Sequence, residues 1–238
     1  MLRIIVALFL MLMCAVPAAA QQVTTRTWVD ANGTTWTETT TTEWTTAGSE
    51  RLVAAPSAAS RTKGIARFGP FAVLDSGRAA LVDETDTASP AAFQRMLRAF
   101  PGIRVLEMVD CPGTVDDTAN LALGRMIRAH GLATAIPPGG SVRSGAVELF
   151  LAGAARHAAP DAEFAVHSWR DDDGREPGDF AATDPVNAAY TRYYREMGLS
   201  PRQAAAFYAL TNSVAHDQVL VLHTGDIAPY AALDQSPL

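Results

Sequence analysis

From residue 65 onward, short apolar runs of strand length alternate with longer segments whose apolar residues return every three or four positions, and this alternation restricts the fold more than any other feature. Residues 71–74, 79–82, 103–109, 132–136, 163–166 and 219–222 read as strands. Residues 90–100, 117–130, 144–156, 184–197 and 201–209 read as helices. In 90–100, Phe93, Met96, Leu97 and Phe100 share one side, with Ser89 as the expected N-cap. In 117–130, acids stand at the start and Arg125 and Arg128 near the end, as the helix dipole favours. Strands separated by helices predict an α/β domain with mostly parallel pairing.

The residues before this domain have a different character. Arg3, an uncharged apolar run over 4–16 and the small residues Ala18, Ala19 and Ala20 read as a secretory signal peptide over 1–20, with Gln21 as the new N-terminus. The apolar run is short for a bilayer crossing, which needs about 20 residues. The expected location is therefore exported, periplasmic or secreted, with no membrane anchor once the signal is cleaved. Residues 21–46 form a Thr/Trp-rich arm. Twelve of the thirty residues in 21–50 are Thr, and Trp28, Trp36 and Trp44 recur at intervals of eight. Asn32-Gly33 between these stretches predicts a hairpin with a two-residue turn. Residues 47–64, rich in Ala and Ser, read as a linker, which leaves 65–238 as the compact domain.

Signal removal leaves 18 basic and 25 acidic side chains, a formal charge of −7. That balance argues against nucleic acid as a partner. Cys14 leaves with the signal, so Cys111 has no internal disulfide partner and stability rests on a hydrophobic core.

Ser144 stands at the entrance to a very apolar helix, after Gly139-Gly140-Ser141-Val142-Arg143. A serine there is commonly an N-cap. A buried helix with a serine at its mouth also presents that hydroxyl and unsatisfied backbone N–H groups to whatever cavity lies there. His167 follows the strand 163–166, at the carboxyl end where open α/β sheets place their sites. It reads either as a satisfied histidine or as a general base.

The run Ser144-Gly-Ala-Val-Glu-Leu-Phe-Leu-Ala-Gly153, then Ala159-Pro160, then Val166-His167-Ser168, resembles the core of the ClpP/crotonase superfamily, above all its exported ClpP-like proteins. The loop Asp110-Cys111-Pro112-Gly113-Thr114 is similar to the family's oxyanion loop, and Asp217 falls where the family places a third catalytic residue. The resemblance spans roughly residues 68–232 and implies a fold of repeated ββα units. It implies a serine hydrolase of peptidase type acting on a peptide or other acyl substrate. In that reading Ser144 is the nucleophile, His167 the base and Asp217 its orienting partner. The backbone N–H groups of Gly145 and of Gly113 or Thr114 form the oxyanion hole. The cytosolic relatives are fed by an ATPase, for which this chain has no nucleotide motif. Relatives form rings, which leaves a homo-oligomer open here.

Several positions depart from the family pattern. Thr114 stands where the family has a second loop glycine, and would be strained if that position takes positive φ. Val142 and Ala146 replace the two cysteines that often flank the serine in exported relatives. Glu148, one turn after Ser144, needs a partner such as Arg143, Arg156 or a groove-facing group. Asp116 and Asp117 bring negative charge close to the proposed oxyanion site. A catalytically inactive binding protein on the same fold is therefore the alternative. No cofactor motif is visible, and His130, His157, His216 and His223 lack metal-ligand spacing. His216 could compete with Asp217 for the place beside His167. Asp171-Asp172-Asp173-Gly174 reads as a solvated acidic loop rather than a calcium site.

Overall fold

The computed structural model describes residues 20–29, 35–44 and 64–234, and the chain divides into two units, Met1–Glu50 and Arg51–Leu238. The first unit contains an antiparallel pair, β1 (Ala20–Val29) and β2 (Thr35–Trp44). Its register sets Trp28 opposite Trp36. This is one residue out from the pairing of Trp28 with Thr37 that a two-residue turn at Asn32-Gly33 would give, and that turn lies outside the described residues. The signal segment, except Ala20, and the linker, except Gly64, lie outside the described residues.

The second unit is built from β3 (Ala66–Phe68), β4 (Phe71–Val73), β5 (Arg78–Leu81), α1 (Ser89–Ala99), β6 (Val105–Met108), β7 (Asp110–Cys111) and α2 (Asp117–Ala129). It continues through β8 (Ala133–Ile136), β9 (Ser141–Arg143), α3 (Gly145–Leu151), β10 (Arg156–Ala158), β11 (Glu163–Val166), α4 (Pro185–Glu196), α5 (Pro201–Thr211), β12 (Leu220–His223) and α6 (Thr224–Ile227). From β4 to α4 the chain repeats strand–strand–helix. One sheet has the order β10-β8-β6-β5-β4-β3 and the other β12-β11-β9-β7. Three successive repeats thus place their first strands (β6, β8, β10) side by side in one sheet and their second strands (β7, β9, β11) side by side in the other. Pairing is parallel from β5 to β10 and from β7 to β11, and antiparallel for β3–β4, β4–β5 and β11–β12. This is the expected α/β architecture of ββα units with mostly parallel sheets.

Core strands in such a sheet are covered on both faces, which is why β4 is buried throughout and β5 beyond its first residue. Phe93 of α1 meets Phe71 with ring centroids 5.5 Å apart. Ser89 is not the N-cap of α1. Ala88 holds that position, while the Ser89 hydroxyl donates to Asp86 Oδ1 at 2.7 Å and accepts from the Asp86 N–H. All of α3 is buried, and it ends at Leu151 instead of continuing to residue 156. The edge of β8 captures the chain first. Thr134 Oγ1 donates to Phe150 O at 2.7 Å, and the Thr134 N–H donates to Ala155 O at 3.0 Å. Arg156, expected on the helix, begins β10, where its guanidinium donates to Leu151 O and Met197 O. Burial, aided by nearby Arg128, lowers its pKa to about 10, so it remains a cation at neutral pH and pins the ends of two helices.

Candidate active site

The repeat pattern explains how distant sequence segments converge. β7, β9 and β11 are parallel neighbours, so the residues that follow them emerge at the same end of the sheet. Those residues are the Gly113-Thr114 loop, Ser144 and His167. Ala165 pairs with Arg143, and the Ser144 N–H donates to Ala165 O at 2.7 Å. Ser144, His167 and Gly145 line one narrow cavity of about 50 Å³.

Ser144 forms the joint between β9 and α3 with φ 48° and ψ −127°, and among the described residues it is the one non-glycine with positive φ. A backbone of this kind costs on the order of 1–3 kcal/mol and persists where surrounding structure enforces it. A strained serine on a sharp strand-to-helix turn is the geometry that exposes a nucleophilic hydroxyl. Ser144 holds the N-cap position of α3, as its place in the sequence suggests, but its side chain makes no capping hydrogen bond.

Gly145 is required by close approach. A Cβ there would lie 2.5 Å from Thr114 Cγ2 and 2.9 Å from Asn120 Nδ2. Asn120 Nδ2 donates to Gly145 O at 2.7 Å, and Thr85 Oγ1 donates to Asn120 Oδ1 at 3.0 Å. The first N–H groups of α3 have no intrahelical acceptor. Positive φ falls on Gly113 (123°), and Thr114 has none. Thr114 is therefore unstrained, and its hydroxyl donates to Thr85 O at 3.0 Å and accepts from the Asp116 N–H at 3.1 Å. Neither Gly113 nor Thr114 is among the cavity-lining residues.

His167 Nδ1 lies 2.8 Å from Ser168 O. A carbonyl only accepts, so Nδ1 carries the proton and Nε2 is the basic nitrogen. His216 Nδ1 approaches the same carbonyl at 3.0 Å, and the two imidazoles meet edge to face with centroids 4.7 Å apart. Ser168 is held by its own hydroxyl, which donates to Val214 O at 2.8 Å. Asp217 is exposed and not among the lining residues. The structure thus puts buried His216 beside His167, and a carbonyl where the resemblance implied the Asp217 carboxylate.

The wall of the same cavity also carries Trp169, Tyr190, Tyr194 and Tyr208, with Asp117 and Glu148. Tyr194 OH donates to Glu148 Oε1 at 2.7 Å, so Glu148 takes a groove-facing partner. Arg143 instead pairs with Asp110 at 2.8 Å. Burial first, then the carboxylates of Asp117 and Glu148, holds the Tyr190 phenol well above its ordinary pKa, and Asp117 also takes a side-chain hydrogen bond from it. Sequence reasoning missed this wall, although Tyr190 and Tyr194 stand at the i, i+4 spacing of one helix face. Among the described residues, no cluster of three or more His, Cys, Asp or Glu is arranged to hold a metal ion. Asp171, in the acidic loop, pairs with Arg175 at 2.8 Å. Cys111 is fully buried, its thiol donates to Leu81 O at 3.3 Å, and burial raises its pKa strongly.

No protein-family model matches the chain, and no curated protein matches it. Among solved structures it is similar to a substrate-peptide complex of the membrane-bound stomatin-specific protease 1510-N, with 16% identity, 64% of this chain and 72% of that one covered, and a TM-score of 0.42. The stomatin-homologue-specific membrane protease 1510-N from Pyrococcus horikoshii gives 15% identity, coverage of 65% and 69%, and a TM-score of 0.43. ClpP1 from Listeria monocytogenes gives 14% identity, coverage of 67% and 90%, and a TM-score of 0.46.

Proposed function

We propose that this chain is an exported, peptidase-like serine hydrolase of the ClpP/crotonase type. The observation that carries the reading is Ser144. It is a strained non-glycine residue at a strand–helix turn, lining one cavity with a histidine whose basic nitrogen is fixed as Nε2. In this mechanism Ser144 Oγ forms a bond to the substrate carbonyl carbon while its proton passes to His167 Nε2. The Gly145 N–H stabilises the oxyanion, helped by the loop at Gly113 and Thr114. Collapse breaks the bond to the leaving group, which takes the proton from His167. Water then attacks the acyl-serine by the same route. The Ser168 carbonyl orients His167 and receives the Nδ1 proton's hydrogen bond. The segment 1–20, with its positive start, apolar run and small residues, supports export.

The test is fluorophosphonate labelling of the purified chain, with the modified residue located by mass spectrometry. Labelling at Ser144, lost in Ser144→Ala and in His167→Ala, is the expected result. Absence of labelling in folded protein overturns catalysis. It would favour the inactive binding protein, a reading to which the position of Gly113 and Thr114 outside the cavity lining lends support.

A further inference from the structure

Resting on the hydrolase reading, we propose that Thr85 and Asn120 are positioning residues for this site: together they fix the loop at Gly113 and Thr114 relative to the turn at Ser144, so that the Thr114 N–H and the Gly145 N–H serve one oxyanion. Both side chains are polar and buried, and neither lines the cavity. Asn120 stands on the row 120, 123, 124 and 127 of α2, whose other members Leu123, Gly124 and Ile127 are apolar and buried. A buried amide costs free energy unless its hydrogen bonds are made, so an apolar side chain would suit that row better on burial alone. The bonds of Asn120 lead to two other segments. Its Nδ2 donates to Gly145 O at 2.7 Å, and its Oδ1 accepts from Thr85 Oγ1 at 3.0 Å.

Thr85 carries the connection into the loop. Its N–H donates to Gly113 O at 3.0 Å and its carbonyl accepts from the Val115 N–H at 2.9 Å, the two bonds of a parallel bridge to Thr114. These bonds take the groups on either side of Thr114, which turns the Thr114 N–H to the opposite edge. The Thr114 hydroxyl donates to the same Thr85 carbonyl at 3.0 Å. One pair of side chains thus joins residue 113 to residue 145 through segments that carry none of the reacting groups. A hole of this kind works only if its donors are already in place when charge develops on the oxygen. The Thr85–Asn120 bond supplies that fixity from behind the site, through backbone groups and without touching substrate.

Hydrolysis of p-nitrophenyl acetate by the full chain tests this, with Ser144→Ala giving the background rate. Thr85→Val keeps the shape and the backbone bonds but removes the hydroxyl that holds Asn120. It should lower kcat about 10- to 100-fold, somewhat less than loss of a whole donor, with KM changed less than about twofold. Thr85→Ser keeps the hydroxyl and should hold kcat within about threefold of wild type. p-Nitrophenyl thionoacetate, with sulfur in place of the carbonyl oxygen, adds a readout that a purely structural role would not move. A hole fitted to oxygen discriminates against the larger sulfur, so the oxygen-to-sulfur ratio of kcat/KM should fall at least about threefold in Thr85→Val and persist in Thr85→Ser. Should Thr85→Val fail to fold, Asn120→Ala gives the same two readouts, the Thr85 hydroxyl then turning to Gly113 O, 3.3 Å away. Wild-type kcat and an unchanged ratio in a folded variant overturn the positioning role and leave the hydrolase. A wild-type chain no faster than Ser144→Ala and not labelled by fluorophosphonate removes the hydrolase, and this role with it.

Discussion

Ser144 holds a backbone conformation that glycine would adopt without strain, so the serine is retained at a cost in stability. This separates its chemistry from its structural role. Ser144→Ala and Ser144→Gly should both abolish labelling and hydrolysis. In denaturant melts, however, the glycine variant should be the more stable by about 1 kcal/mol, the relieved strain exceeding the entropy glycine adds to the unfolded chain. A glycine variant less stable than the alanine variant would mean that the turn is not strained. The same cavity decides between Asp217 and His216. Asp217 is exposed, so Asp217→Asn should leave kcat/KM nearly unchanged and stability within about 0.5 kcal/mol of wild type. Replacing His216, which packs against the His167 ring, should lower kcat. A fall of about 10⁴ in Asp217→Asn, the size expected when a triad loses its orienting carboxylate, would restore Asp217 as the third catalytic residue.

At the scale of elements, the entrance of α3 is positioned by contacts from α2 and from the Thr114 loop. Gly145→Ala forces a methyl group against Thr114 Cγ2 and Asn120 Nδ2, and should cost about 1–3 kcal/mol with loss of labelling. Thr114→Ser removes Cγ2 and keeps the hydroxyl that bonds Thr85 O, so the double variant should recover part of that loss. A strictly additive cycle, measured by chemical denaturation, would show that the two positions do not meet. Thr114 also marks a limit of reasoning by resemblance. A family glycine at this position suggests strain for threonine. Here the positive φ falls one residue earlier, at Gly113, and the threonine hydroxyl ties the loop down.

For the molecule as a whole, the core, both large sheets and every residue of the proposed mechanism belong to the unit Arg51–Leu238. A chain lacking residues 1–50 should therefore fold cooperatively and label at Ser144 at the wild-type rate. Far-ultraviolet circular dichroism and a labelling time course check this. Loss of labelling with the fold intact would assign the Thr/Trp-rich arm a part in the site.

Local physics made much of this legible in advance. Apolar runs and helical periodicity placed the strands at 71–73 and 163–166 and the helices of α1, α2, α4 and α5 to within a few residues, because burial imposes those patterns directly. Ser144 stood out because it opens a very apolar helix, and His167 because it sits where a strand gives way to a polar loop. The early end of α3 was not legible, since it depends on Thr134 and the β8 edge reaching the chain first. The strain at Ser144 was equally hidden, being imposed by β11 through Ala165 O and by α2 through Asn120. The meeting of His167 and His216 at the Ser168 carbonyl depends on how the loop after β11 meets the segment at 214–216. The sequence by itself determined which segments are buried and which residues can react; the tertiary structure decided which of them meet, because those contacts join segments far apart along the chain.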